Sequence, residues 1–424
     1  MKSERVGESK PALRRDLGLL DAVGVGLGAI VGAGIFVVTG VAAGVAGPAF
    51  LVGLLIAGIA ATANALSSAQ LAAEYPQSGG TYEYGYRLLR PWAGFAAGWM
   101  FLVSKISAAA TVGLGLGAYL EGILPELQPR VVAVVAIVAF TLLNYFGIRR
   151  SSLANLVIVT ISIGSLVLFA FASAPAFDAA NLRPFAPQGL RGILESAAIL
   201  FFAYTGYARI ATLGEEVREP RKTIPRAVVI TIVSAIVIYS LVALVAVGTA
   251  GAAGLASTSA PLLAAAAESG HAWLLPALSI GGLAAMLGVI LSQILGLSRM
   301  VFAMARRGDL PRSLAHIHAK HDVPDRAILI VGAIAAIVAA TGTLRGVATA
   351  ASFAILIYYG ITNLAALRLP ARAKLYPDLV PMAGLALCVV LAASLALRTI
   401  LIGSAILAIG MLFRMVAGRR RDLT

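Results

Sequence analysis

The sequence contains a single cysteine, Cys388, among 424 residues. This cysteine lies within an apolar stretch, so no disulfide can form within the chain and no cluster of thiolates can bind a metal. Charged residues are also scarce, at 12%, whereas hydrophobic residues reach 60% and the mean hydropathy is +0.92. A soluble domain does not bury that much apolar surface. The composition therefore indicates an all-α integral membrane protein that crosses the lipid bilayer several times.

Apolar runs predict twelve transmembrane helices, because a helix needs about 20 residues to cross the hydrocarbon core. The predicted spans are 17–40, 48–73, 92–120, 130–147, 152–174, 190–213, 225–249, 273–305, 326–342, 347–369, 377–396 and 398–417. Residues 250–272 are small and polar and resemble an outer lid rather than a span.

Basic residues outnumber acidic ones by 33 to 19, which gives a formal net charge of +14. Their placement explains this excess without a nucleic-acid partner. With the N-terminus inside, 26 of them fall on inner segments and five on outer segments, in agreement with the positive-inside rule. The outer five are Arg130, Arg183, Arg191, Arg345 and Arg398. We therefore expect both termini in the cytoplasm, in a protein of the cytoplasmic membrane whose first span is a retained signal anchor.

The first span, LGLLDAVGVGLGAIVGAGIFVVT, is long enough to cross the membrane but is rich in glycine. Each glycine weakens a helix by roughly 1 kcal/mol relative to alanine. A break near the middle of the bilayer is tolerated only where protein or a polar cavity satisfies the backbone. A half-helix that starts at Gly34 would direct its N–H groups and dipole toward an anion. The alternative is that Gly24, Gly28 and Gly32 form GxxxG contacts with another helix.

The sixth span has a second interruption, where the small and polar residues 203–206 break an apolar helix and Arg209 follows one turn later. Paired breaks at the start of two five-span blocks are typical of a transporter with inverted repeats. We therefore predict a cytoplasmic tail over 1–16, a first repeat over 17–174 and a second over 190–369. Two further helices over 377–417 and a tail over 418–424 complete the chain.

Lys105 is a charged residue well inside the third span. At that depth a lysine costs about 2.5–3.5 kcal/mol on insertion scales, so we expect it to face the interior of the bundle. The alternative is that its long stem carries the ammonium to one membrane face. A histidine group elsewhere, His316, His318 and His321, has no cysteine and lies beside basic residues, so we predict neither a metal site nor a cofactor.

Three motifs resemble those of the amino acid–polyamine–organocation (APC) family of amino acid permeases. They are GAIVGAGIF in the first span, FFAYTGY followed by EEVREPRKTIPRA after the sixth, and GLSRMVFAMARRGDLP at the end of the eighth. The resemblance runs in order from about Leu17 to Pro370. It implies a five-plus-five inverted repeat with broken helices 1 and 6 plus two C-terminal helices. It also implies alternating access to an amino acid held between the two breaks.

The resemblance also implies which residues bind the substrate. The carboxylate would be held by the first break, at Ile30, Gly32, Ala33 and Gly34. The ammonium would be held by backbone carbonyls of the sixth span, at Phe202, Ala203, Tyr204 and Thr205. Phe202 would also serve as an aromatic gate over the substrate. Helix N-termini suit a carboxylate, and the free carbonyls of a broken helix suit an ammonium. The physical chemistry of the two breaks therefore agrees with the roles that the resemblance implies.

Two departures from the family pattern leave the coupling ion open. Many proton-coupled members have a lysine in span five where Ser162 aligns. Many also have an acidic residue just after the sixth-span aromatic, where this chain reads Tyr207-Ala208-Arg209. We expect Lys105 to carry the coupling proton, because burial disfavours its charged form. Two alternatives remain for an amino acid or amine transporter: a fixed charge at Lys105, which predicts exchange, or coupling to sodium bound near Ser162. The charges of Lys105 and Arg209 favour neutral amino acids over cationic ones. A channel and a membrane enzyme are weaker hypotheses, because polar residues cluster at two breaks and no catalytic set shares one depth.

Overall fold

The computed structural model describes residues 18–75, 79–147, 152–211 and 217–419. The predicted tail over 1–16 and most of the tail over 418–424 lie outside this part. So do Arg149, Arg150 and the Glu215–Glu216 pair of the loop motif.

The described residues form sixteen α-helices and no β-strand. The first seven are α1 (Leu19–Ile30), α2 (Thr39–Ala46), α3 (Phe50–Glu74), α4 (Thr81–Tyr84), α5 (Pro91–Glu121), α6 (Pro129–Tyr145) and α7 (Ser152–Ser173). The next five are α8 (Gly189–Tyr204), α9 (Ala208–Ala211), α10 (Pro220–Ala256), α11 (Pro261–Glu268) and α12 (Leu274–Arg307). The last four are α13 (Asp325–Thr341), α14 (Leu344–Leu367), α15 (Leu379–Ser394) and α16 (Leu397–Arg419).

Each predicted span coincides with one of these helices or with a broken pair. Within the described residues, seven segments are long and apolar enough to cross a membrane, the first of them running from Leu19 to Glu74. Two shorter apolar helices, α6 and α15, accompany them. The all-helical, multi-span class is therefore confirmed, whereas the count of twelve crossings stays a prediction.

The first spans form the core of the bundle and the last span lies at its periphery. The most apolar window of Leu19–Glu74 is 83% buried, whereas that of Leu397–Val416 is 11% buried. In the centre, α3 packs against α8 and α10, and α5 packs against α12 and α14. Small residues dominate the buried faces of α3 and α5, which allows close helix packing without a hydrophobic driving force.

Two connecting segments are helical in the structure. The segment between the second and third spans contains α4 and a π-helical turn over Gly85–Leu89. The predicted lid contains the end of α10, which bends at Gly251 (φ 68°, ψ 162°), and then α11. Glycine adopts this backbone conformation readily because it has no Cβ.

Candidate functional site

The first span is broken near its middle. Helix α1 ends at Ile30, and Val31 has an extended backbone (φ −72°, ψ 109°). The chain becomes helical again at Gly34, in a π-helical turn that ends at Val38 and leads directly into α2. The interruption thus falls over residues 31–33, and a half-helix begins at the glycine where the sequence predicts it.

Tyrosine side chains from other helices satisfy carbonyls at this break. Tyr239 of α10 donates to the carbonyl of Ile30 at 2.9 Å, and Tyr119 of α5 donates to the carbonyl of Phe36 at 2.9 Å. Both tyrosines are fully buried. The last carbonyls of a helix have no partner within that helix, so a buried end needs a donor from elsewhere. Here α10 provides it for Ile30.

The sixth span tightens rather than unwinds. Helix α8 ends at Tyr204, and residues Thr205–Tyr207 form a single 3₁₀ turn before α9. The Thr205 hydroxyl donates back to the carbonyl of Phe202 at 3.0 Å. Tyr359 of α14 donates to the carbonyl of Thr205 at 3.4 Å. Two of the carbonyls expected to face an ammonium thus already accept hydrogen bonds from the protein.

The two interruptions lie against each other. A Cβ atom on Gly34 would lie 2.4 Å from the Cα atom of Ala203. A Cβ atom on Gly206 would lie 2.3 Å from the carbonyl of Ala29 and 2.4 Å from the amide nitrogen of Ile30. These separations are far shorter than any real Cβ contact, so only glycine permits the two backbones to approach this closely at both points.

The other predicted binding residues occupy distinct positions around this crossing. A Cβ atom on Gly32 would lie 2.9 Å from a methyl group of Val289 on α12, and Ala33 is 2% exposed. The Tyr204 hydroxyl donates to the carbonyl of Leu54 on α3 at 3.4 Å. The side chain of Tyr204 therefore binds within the bundle, and only its backbone remains a candidate for the substrate.

Four residues at the crossing were not predicted as site residues: Tyr119, Gly206, Tyr239 and Tyr359. Gly206 lies inside the interruption over residues 203–206, so the sequence already marks the region in which it lies. The tyrosines carry no local signal, because each lies in an ordinary apolar span and finds its partner in a distant segment.

Lys105 and Arg209 lie within Coulombic range of each other. The Lys105 ammonium lies 5.8 Å from the centroid of the Phe101 ring, on the same helix. A Cβ atom on Gly296 of α12 would lie 3.6 Å from a guanidinium nitrogen of Arg209. The structure therefore brings these two predicted coupling residues together, between α5, α9 and α12.

Ser162, the third coupling candidate, lies elsewhere. Its hydroxyl donates to the carbonyl of Ile158 at 2.7 Å and is 3.2 Å from the carbonyl of Gly281, on α12. Asn155 of α7 does reach the first span, where its amide donates to the carbonyl of Gly24 at 3.5 Å.

The histidine group makes local contacts. His316 Nδ1 lies 2.8 Å from the Asp325 carboxylate, and the rings of His318 and His321 pack against Tyr145. Within the described residues, no three histidine, cysteine or acidic side chains are arranged to hold a metal ion.

The family model described as "Amino acid permease" matches residues 21–422, which is nearly the whole chain. The chain belongs to the amino acid permease family. This permease is therefore a multi-pass membrane transporter and not an enzyme, as its sequence motifs predict.

Relatives of the permease cover most of its length. An uncharacterized transporter of Mycobacterium tuberculosis (strain H37Rv) is 44% identical over 94% of this chain and 90% of the relative. The branched-chain amino acid permease of Bacillus subtilis is 30% identical over 77% of this chain and 74% of the relative. The chloroplastic cationic amino acid transporter 9 of Arabidopsis thaliana is 29% identical over 73% of this chain and 58% of the relative.

Proposed function

We propose that this permease is a secondary active transporter that moves neutral amino acids across the cytoplasmic membrane by alternating access. The close approach of the two interruptions, at Gly34 and Ala203, carries this proposal. The half-helix that begins at Gly34 presents N–H groups and the positive end of its dipole to a substrate carboxylate. Backbone carbonyls near Ala203 accept from the ammonium, and Phe202, 8% exposed, covers the substrate.

The helix packing supports a five-plus-five inverted repeat. The two predicted repeats pair α1 with α8, α3 with α10, α5 with α12 and α7 with α14. Under this pairing, the contact of α8 with α3 is the equivalent of the contact of α1 with α10. The contact of α12 with α7 is likewise the equivalent of the contact of α5 with α14. Equivalent pairs of this kind are expected when two repeats of the same design intertwine in opposite orientation. Alternating access then follows from movement of one group of helices against the other around the substrate.

The charges near the crossing favour neutral substrates. Lys105 and Arg209 bring two cations into the membrane region, and low local dielectric strengthens their repulsion of a third. A cationic side chain on the substrate would add that third charge. The name of the Bacillus subtilis relative agrees with this choice, whereas the name of the Arabidopsis relative favours the alternative, cationic amino acids.

We propose a proton as the coupling ion, with Lys105 as its carrier. Ionisable residues inside a membrane protein are by default functional candidates, and Lys105 lies within Coulombic range of Arg209, which follows the interruption of the sixth span. Sodium near Ser162 is less favoured, because the Ser162 hydroxyl lies beside the carbonyls of Ile158 on α7 and Gly281 on α12, and neither of these helices is a broken span. Both termini lie in the cytoplasm in this proposal, on the strength of the basic inner segments.

Uptake into liposomes tests the substrate site. Purified wild-type protein is reconstituted, and uptake of labelled leucine, alanine and arginine is measured under an inward proton gradient. The test variant is Gly34→Val, whose side chain has no room beside Ala203. The matched control is Gly24→Val, in the same span, where a Cβ atom would have no neighbour within 4 Å.

We expect leucine or alanine uptake to exceed arginine uptake in the wild type. Gly34→Val should lower uptake about tenfold or more while Gly24→Val stays near the wild-type level. Equal uptake by the two variants would show that the substrate binds elsewhere. Arginine as the preferred substrate would contradict the assignment to neutral amino acids.

A further inference from the structure

Two adjoining cavities open at the end of the bundle that is predicted to face outward. Their volumes are about 400 Å³ and about 370 Å³, within the range of small-molecule sites. Ser259, Thr343 and Leu344 line both, so the two form one vestibule. The vestibule is bounded by the predicted lid, the start of α14 and the start of α6.

The charge in this vestibule has one sign. Arg130 lines the first cavity and Arg345 the second, and none of the residues that line either cavity is acidic. Arg345 Nη2 lies 3.4 Å from the Glu195 carboxylate, which partly neutralises it. Arg130 is exposed and forms no ion pair within the described residues. Glu121, at the end of α5, and Glu126, on the loop before α6, line neither cavity.

Two long helices begin at the first cavity. Helix α6 begins at Pro129 and helix α14 at Leu344, and both residues line the wall together with the preceding Gln128 and Thr343. The first N–H groups of a helix have no backbone partner within it, and the macrodipole places about half a positive charge there. Two of these groups are not available here, because Pro129 has no N–H and the N–H of Gly346 donates to the Thr343 hydroxyl. The two helix starts therefore add to the field of Arg130.

The vestibule adjoins the proposed transport route. Gly40 and Gly44 of α2 line its second cavity, and α2 is the half-helix that leads away from the first break. A Cβ atom on Gly40 would lie 2.6 Å from the carbonyl of Leu255, so the lid packs directly on α2. An outer compartment is thus present beside the half-helix that leads away from the first break.

We propose that this vestibule is an outer subsite that receives the carboxylate of an incoming amino acid before the lid opens. The inference rests on the proposed transport function and deepens it. Arg130 and the starts of α6 and α14 attract the carboxylate, and the absence of acidic lining residues disfavours a cationic side chain. The subsite thereby selects neutral and anionic amino acids at the outer face and has no effect on substrate that arrives from inside.

Transport kinetics from each face test the subsite. Right-side-out and inside-out membrane vesicles are prepared that contain the wild-type protein, the Arg130→Gln variant or the Arg130→Lys variant. The Michaelis constant is measured for the neutral amino acid that the uptake screen ranks first. Arg345 is left unchanged because its ion pair with Glu195 would confound the result. Inhibition by glutamate and by arginine is measured in parallel, at low and at high ionic strength.

We expect Arg130→Gln to raise the Michaelis constant from outside about fivefold at low ionic strength, since a charge pair in water is worth ~1 kcal/mol. The effect should shrink at high salt, and Arg130→Lys should restore most of the wild-type value. Inhibition by arginine relative to glutamate should rise in Arg130→Gln, and kinetics from inside should not change. An unchanged Michaelis constant from outside, or an equal change from both faces, would overturn the subsite.

The proposed function can fail separately. If the wild type shows no saturable amino acid uptake, the transport proposal falls. If the wild type transports but Arg130→Gln is indistinguishable from it, only the vestibule inference falls.

Discussion

Gly206 and Ala29 form the tightest backbone crossing between the two broken spans, because a Cβ atom on Gly206 would lie 2.3 Å from both the carbonyl carbon and oxygen of Ala29. The atom encountered is backbone, so no side-chain rotation can relieve the overlap. We expect Gly206→Ala to separate α1 from the 3₁₀ turn. Overpacking of this kind typically costs about 1–3 kcal/mol. Thermal unfolding in detergent should show the loss, and substrate should no longer stabilise the variant.

A glycine in open space provides the control. A Cβ atom on Gly164, in the middle of α7, would have no neighbour within 4 Å. Gly164→Ala should keep or slightly raise the melting temperature, because alanine favours a helix over glycine by roughly 1 kcal/mol. A Gly206→Ala variant that melts and binds like Gly164→Ala would contradict the crossing.

Tyr239 is predicted to stabilise the first break through its hydroxyl group. Replacement by phenylalanine keeps the ring but leaves the buried carbonyl of Ile30 without its donor. An unsatisfied buried polar group costs about 1–3 kcal/mol, so Tyr239→Phe should lower the melting temperature and weaken substrate binding. Binding is measured by the thermal shift that the preferred amino acid produces.

Tyr84 offers a matched control, because its buried hydroxyl has no hydrogen-bond partner within the described residues. Tyr84→Phe removes a hydroxyl without removing a bond, and should leave stability unchanged or raise it. Equal behaviour of Tyr84→Phe and Tyr239→Phe would show that the bond to Ile30 does not matter.

A cluster on the predicted cytoplasmic side predicts a pH effect. The hydroxyls of Tyr82 and Tyr86 each donate to Asp309 at 2.6 Å, and Arg414 donates to the Tyr86 hydroxyl at 2.7 Å. Burial, followed by the hydrogen bond to Asp309, raises the pKa of Tyr86 from 10.0 to about 12. The protonated hydroxyl is thus favoured by folding. Its contribution is complete below pH 10 and is lost as the pH rises through about 12.

The test compares the wild type with Tyr86→Phe across this range. Below pH 10 the wild type should have the higher melting temperature, by a constant margin. Between pH 10 and pH 12 the margin should shrink, because Tyr86 loses its proton in the unfolded wild type while the folded hydroxyl keeps it, and phenylalanine has no proton to lose in either state. Titrating groups away from this cluster are common to both proteins and cancel. A margin that stays constant to pH 12 would contradict the assigned role of the Tyr86 hydroxyl.

The positions of the breaks could be predicted from the sequence because their cause is local. Glycines at 28, 32 and 34 weaken the helix where they stand, and the half-helix does begin at Gly34. The donors that satisfy the break could not be predicted. Tyr239 is 209 residues from Ile30 and Tyr119 is 83 residues from Phe36, so each pairing depends on the complete packing of the bundle.

The coupling residues show the same limit. Lys105 and Arg209 stand out in the sequence because charge is rare in apolar spans, and the structure places them near each other. The role of Ser162 depends on the rotation of α7, which a single sequence does not determine. In the structure this rotation points Ser162 toward Gly281 on α12 and brings Asn155 to the first span. The role of Ser162 as a coupling residue stays a prediction.

Two substitutions of Lys105 separate the possible coupling mechanisms. If Lys105 carries the proton, both Lys105→Ala and Lys105→Arg should bind substrate but lose accumulation, because neither alanine nor arginine releases a proton near neutral pH. If Lys105 acts only as a fixed charge, Lys105→Arg should retain wild-type transport and only Lys105→Ala should lose it.

The measurement is accumulation of the preferred amino acid in proteoliposomes, with imposed proton and sodium gradients in separate experiments. We expect wild-type accumulation to follow the proton gradient and to ignore sodium. Both variants should still equilibrate substrate across the membrane, since the residues at Gly34 and Ala203 are untouched. Substrate binding, measured by thermal shift, confirms that each variant is folded. Sodium-driven accumulation that survives Lys105→Ala would exclude both roles of Lys105 and move the coupling site to the region of Ser162, because a buried hydroxyl and carbonyls suit sodium but cannot exchange a proton.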